Sequence, residues 1–277
     1  MCIAAWVWQA HPVYQLFLLL NRDEFHDRPT KPVEWWGEGS NQKILGGRDE
    51  LGGGTWLGCT KDGFLAFLTN FREPEPSSGT RSRGELPKRF LEGTKSASET
   101  AEEIVKEAHQ YDGFNLILAE LQTKTMFYIS NRPKGKPIFV QKVPPGVHVL
   151  SNANLNSPWP KAEKLRRELY KILVSYGETK LCEKDMVEKL MGDKTKADRS
   201  MLPTTGCDPE REFDLSSIFV EINAKSRRYG TRSMAAVSVK TNDEVAFYEK
   251  YLENNNWREH LFQYHMQSSP IDQKLAK

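Results

Sequence analysis

Cys2 follows the initiator methionine directly and opens the apolar run "CIAAWVW". Residue two is small, so removal of Met1 is expected to leave a thiol and an α-amine on one carbon. Such an amine has a pKa of about 7.7–8.0 and can take the proton of its own thiol. A carboxylate nearby would orient the amine. Side-chain amides would receive an oxyanion as a carbonyl is attacked, and an arginine would favour the thiolate. The sequence offers each of these groups. The stretches "LLLNRDE", "AFLTN" and "HVLSN" end on polar residues, and "YGTR" leads into another apolar run. They supply Asp23 as the acid, Asn70 and Asn152 as amide donors, and Arg232 as the guanidinium. Taken singly, a polar residue where a strand exits to water is ordinary. Taken with Cys2, they form a set suited to nucleophilic attack on a carbonyl.

Other chemistries find less support. Cys2, Cys59, Cys182 and Cys207 include no pair at CxxC spacing, and the six histidines form no HExxH pattern, so no metal site is expected. There is no CxxCH for covalent haem. The glycine-rich "GGRDELGGGTWLG" lacks GK[ST] and reads as turns and close backbone approach rather than a phosphate loop. Net charge is +2, from 39 basic and 37 acidic residues, which gives no bulk attraction to nucleic acid or anionic membrane. The run Leu16 to Leu20 is too short for a signal core or a membrane span. Free thiols and a cytoplasmic, reducing compartment are expected.

The elements that must position these groups follow from the pattern. Residues 2–8 and 14–20 are apolar and β-prone, with Pro12 in the connection, and predict a hairpin. "HDRPTKPVEWW" reads as an irregular loop, in which Trp35 and Trp36 pack on a sheet edge or line a pocket mouth. Further strands are expected at 63–70, in four runs between 114 and 152, and in "SIFVEI", "SMAAVSV" and "VAFYEKY". Helices are expected at 86–92, from Ser98 to about His109, from Pro158 onward, and at 183–191. The tail after about residue 266 is expected to fray. Antiparallel runs of strands with grouped helices predict an α+β layered fold in a single domain spanning 1–277.

The motifs "MCI", "NRDEF", "GGTWLG", "LTNF", "SRGEL", "GFNLI", "LSNA", "SPW" and "YGTR" occur in this order along nearly the whole chain. With them the chain resembles the NRDE family, the homologues of transport and Golgi organisation protein 2. That family is in turn similar to cysteine-type N-terminal-nucleophile hydrolases, the group of bile-salt hydrolases and penicillin V acylases. The resemblance implies an αββα sandwich, two antiparallel sheets between helical layers. It implies Cys2 as nucleophile, Asp23 as the acid binding the amine, Asn70 and Asn152 as oxyanion donors, and Arg232 as a late active-site arginine. Asn21, Arg22 and Glu24 of the family motif, with Trp35 and Trp36, form the implied binding set.

One position departs from the hydrolases. They carry an arginine three residues before the acid, where this chain has Leu20. Neighbours on a strand face opposite ways, so Arg22 is expected to point away from the face of Asn21 and Asp23, which turns to Cys2. The resemblance therefore places first a role in ER and Golgi organisation and secretion. The protein would be a carrier or chaperone of a small hydrophobic ligand, either haem or an acyl-CoA or lipid, with Golgi/ER or mitochondrial association and no required cofactor. A Cys2-dependent amide hydrolase comes second.

Overall fold

The computed structural model describes residues 2–37, 43–74, 81–223 and 227–267. Two seven-stranded sheets lie face to face. The first contains β1 (Cys2–Trp8), β2 (Tyr14–Phe25), β10 (Gly146–Leu150), β11 (Glu221–Asn223), β12 (Arg228–Lys240), β13 (Glu244–Glu253) and β14 (Asn256–His265). Its order is β10-β1-β2-β12-β13-β14, with β11 beside β12. The second runs β3 (Thr30–Trp36), β4 (Ile44–Asp49), β5 (Leu57–Thr60), β6 (Phe64–Asn70), β7 (Phe114–Glu120), β8 (Thr125–Ser130) and β9 (Phe139–Lys142) in chain order. Every pairing between these strands is antiparallel.

Period-two alternation builds the layers. On β1 and β2, Ala4, Trp6, Trp8, Leu16, Leu18 and Leu20 enter the core between the sheets. Ile3, Ala5, Val7, Phe17 and Leu19 enter a second core beneath α3 (Pro160–Tyr176) and α4 (Glu183–Met186). On the second sheet, Leu65, Phe67 and Ile117 face inward. Ala66, Leu116 and Leu118 meet Leu86 and Phe90 of α1 (Glu85–Glu92) and Ile104 of α2 (Ala97–Glu107). The order helix, sheet, sheet, helix is the expected αββα sandwich. No helix among the described residues is long and apolar enough to cross a membrane.

Several expected elements shift. The segment containing Trp35 and Trp36 is not an irregular loop but the edge strand β3. Pro32 is tolerated there because it lies at a register shift between Lys31 and Glu34. The first part of the glycine-rich segment is β4. The helix expected to be capped by Ser98 is capped by Ser96, in a reciprocal box with Glu99. Pro160, rather than Pro158, occupies the first turn of α3. The helix expected at 183–191 is α for four residues and continues as a π turn over Val187–Met191. "SIFVEI" contributes only its end to a strand, as β11. Polar β14 lies beyond the last strand expected from the sequence; it is an edge strand whose Phe262 and Tyr264 reach the core. From residue 268 on, the tail lies outside the described residues.

Candidate active site

The site forms where the ends of β1, β2, β6, β10 and β12 converge. Cys2 pairs directly with Arg22 across the first hairpin. Directly opposed residues of an antiparallel pair share a face, so thiol and guanidinium lie on the same side of the sheet. This corrects the expectation that Arg22 points away. Positions 20 and 22 share a face, so Arg22 stands one pleat beyond Leu20, on the side of the Cys2 thiol. It is buried, bonded through Nη2 to Asp49 at 2.9 Å and through Nη1 to Thr30 at 3.0 Å. Its Cζ sits 4.1 Å from the Trp56 ring centroid.

Asp23 is buried on the other face of β2 and still reaches the rim of the Cys2 cleft. Its Oδ1 accepts a hydrogen bond of 2.7 Å from Thr231, whose hydroxyl in turn accepts from Val220 N–H. Burial pushes the Asp23 carboxyl up, opposed by the amino-terminal charge, Lys161, the Thr231 hydrogen bond and Arg72. Burial also pushes the Cys2 thiol up; the amino-terminal charge, Arg22 and a hydrogen bond from the Asp23 backbone pull it down, while the Asp23 charge raises it.

Asn70 ends β6 and lines the cleft, as an oxyanion donor would. Asn152 does something different. It is fully buried, and its Nδ2 donates to the Asn70 carbonyl at 2.9 Å, while its own carbonyl accepts from Arg72 N–H at 2.6 Å. It fastens the end of the first sheet to the end of the second. Asn21, expected to face the cleft, is buried on the helical side and donates to the carbonyls of Met191 and Ile218. Glu24 lines the cleft.

Arg232 and the tryptophan pair do not join this cleft. Arg232 is the extra residue of a bulge in β12 between Thr231, which faces Asp23, and Ser233, which faces Arg22. A bulge re-aims a side chain, and Arg232 turns to the carbonyls of Phe25 and Arg28 in a neighbouring cavity. Trp35 packs edge-on against Tyr264, with Lys61 over its ring. Trp36 donates to the Gly46 carbonyl at 2.6 Å and lies under Arg48. The aromatic wall of the cleft is Trp56 instead.

Sequence reasoning missed a buried charge cluster behind Asp23. Lys161 is buried at the start of α3, donating to the Leu215 carbonyl at 2.8 Å. Burial lowers its pKa to about 8, against the attraction of Asp23. Beside it, Arg72 and Glu212 form a buried ion pair. One signal was readable: a lysine in a first helical turn opposes the helix dipole. Arg72 and Thr231 also lie next to or inside quoted motifs.

Fold and site together define an α+β sandwich whose two sheets converge on Cys2, with a carboxyl and a guanidinium from the adjoining strand. A sequence model described as Transport and Golgi organisation 2 matches residues 1–254. The Transport and Golgi organization 2 homolog of Mus musculus is 32% identical over 97% of this chain and 100% of its own length. The chain belongs to the Transport and Golgi organisation 2 family. Among solved structures, it is similar to the Caenorhabditis elegans ortholog of N-acylethanolamine-hydrolyzing acid amidase, with TM-score 0.46 and 14% identity over 68% of this chain and 84% of that one. It is also similar to a mutant conjugated bile acid hydrolase from Clostridium perfringens, with TM-score 0.43 and 12% identity over 96% and 98%. Both likenesses are too distant to carry an argument, and the αββα architecture rests on the contacts described above.

Proposed function

We propose that this member of a family named for transport and Golgi organisation acts through Cys2 as a nucleophile that cleaves the C–N bond of a small amide. One observation carries the reading: Arg22 lies directly opposite Cys2 in register, on the thiol's own face. With Met1 removed, the α-amine takes the thiol proton and sulfur attacks the acyl carbon. The oxyanion is received by the Asn70 amide. The C–N bond breaks as the ammonium returns the proton to the leaving amine. Water then cleaves the thioester, releasing the acid and restoring the thiol. Asp23 fixes the amine. The cleft of about 360 Å³ has charged walls. The carrier reading, for haem, acyl-CoA or lipid, draws no support from those walls, and Trp35 and Trp36 face elsewhere.

The test is the rate at which Cys2 is acylated by an activated ester across pH. Arg22→Gln is expected to slow it by roughly tenfold or more at neutral pH and to move the profile alkaline, because thiolate loses its adjacent cation. Unchanged rate and profile would remove the reading's main support.

A further inference from the structure

A second cavity, of about 680 Å³, lies across Arg22 and Trp56 from the Cys2 cleft; both residues and Arg28 line the two. Of its five lining arginines, Arg22 and Arg28 pair with Asp49 and Arg227 with Asp27, while Arg228 and Arg232 make no ion pair among the described residues. Asp27 is held by Arg227 at 2.8 Å, and Glu253 by Arg258 at 3.0 Å. Glu249 is spent on Val33 N–H, Ser233 and His260. Arg232 makes no ion pair among the described residues. Its Nη1 bonds carbonyl groups and Thr30, its buried Nε meets no acceptor, and its Nη2 bonds nothing among the described residues. Arg228 is exposed, and among the described residues its guanidinium bonds only Asn255, an uncharged partner, at 3.1 Å. His26 lines the same wall, and its buried Nδ1 also lacks a partner among the described residues. Only Glu50 stands on the wall as an acid without an ion pair among the described residues. A half-buried guanidinium such as that of Arg232, bonded only to uncharged acceptors, is a receptive arrangement for an anion, since charge-assisted, forked hydrogen bonds are stronger than neutral ones.

We propose that this cavity binds an oxyanion-bearing ligand, its phosphate or carboxylate group received by Arg232 Nη2 with Arg228 beside it. The crowding of like charge is consistent: burial, Arg228 and Arg232 together hold the His26 imidazole below its usual pKa. The site does not depend on Cys2 chemistry. The β12 bulge that turns Arg232 away from Cys2 is what brings it here.

Isothermal titration of the full chain with inorganic pyrophosphate, and separately with citrate, at fixed ionic strength tests it. Saturable one-site binding is expected, retained in Cys2→Ala and weakened at least tenfold in Arg232→Gln. Arg232 also holds the carbonyls of Phe25 and Arg28, so R232Q endangers folding. R228Q, at an exposed position, is the second variant and is expected to weaken binding threefold or more. Tighter pyrophosphate identifies a phosphate ligand, and tighter citrate a carboxylate one; either supports the site. No saturable binding of either anion, or binding undiminished in R228Q and in any folded R232Q, would overturn it.

Discussion

Lys161 shows what burial does to a single charge near this site. Its folded pKa is about 8 against an ordinary 10.5, a difference on the order of 3 kcal/mol. Below pH 8 both folded and unfolded states hold the proton, and the folded state carries the full cost of burying it. Between about pH 8 and 10.5 only the unfolded state holds it, so this group makes stability rise with pH. Denaturant titrations across that window should show a rise of roughly 1.4 kcal/mol per pH unit from this residue. In Lys161→Met that component should vanish. Parallel stability curves for the two proteins would contradict the burial of a titrating ammonium. Lys161 was not legible as a site residue, since its partners come from β2, the loop after β6 and α5 (Pro209–Asp214), all distant in sequence. Asp23 and Asn70 were legible as cleft residues because each follows an apolar run, Asn70 at the end of β6 and Asp23 near the end of β2. Arg232 was misplaced because a bulge cannot be read from alternation.

Among the elements, two motifs that look unrelated in sequence prove to be one contact. Gly54 of "GGTWLG" packs on Gly84 of "SRGEL", with Thr55 N–H donating to the Gly84 carbonyl at 3.1 Å. A Cβ on Gly54 would lie 2.2 Å from the Gly84 carbonyl carbon and oxygen. Backbone cannot step aside as a side chain can, so Gly54→Ala is expected to cost about 2 kcal/mol or more. It should also slow Cys2 acylation, since Thr55, Trp56 and Gly84 line the cleft. Chemical denaturation and the acylation rate check both; a variant as stable as the parent would sink the close-approach argument. Close approach was readable from the glycines, but their partner was not. Strands β3, β4 and β14 escaped notice for a related reason. Their prolines, glycines and charges suit edges and bulges and dilute the alternation that marks inner strands such as β1 and β2.

For the whole molecule, the site exists only while two sheets keep their ends together. Asn152 is the tie, and Asn70 the group that the tie presents. Both read alike in sequence, as amides ending strands, yet burial separates them. Asn152→Ala leaves buried polar groups unpaired and is expected to destabilise the fold by about 1–3 kcal/mol. Asn70→Ala is expected to leave stability nearly unchanged and to slow Cys2-dependent turnover roughly a hundredfold. Equal effects of the two on thermal unfolding would refute that division. The sandwich itself was legible, since alternation in β1, β2 and β7 fills three cores at once, while its convergence on one cleft is a property of topology. The proposed Cys2 chemistry depends most on the state of the first residue. Intact-mass spectrometry of the purified protein, after brief exposure to an activated acyl ester near neutral pH, examines it directly. We expect a mass beginning at Cys2 with one added acyl group, absent in Cys2→Ala. Met1 retained in most molecules, or the same acyl gain in Cys2→Ala, would contradict it.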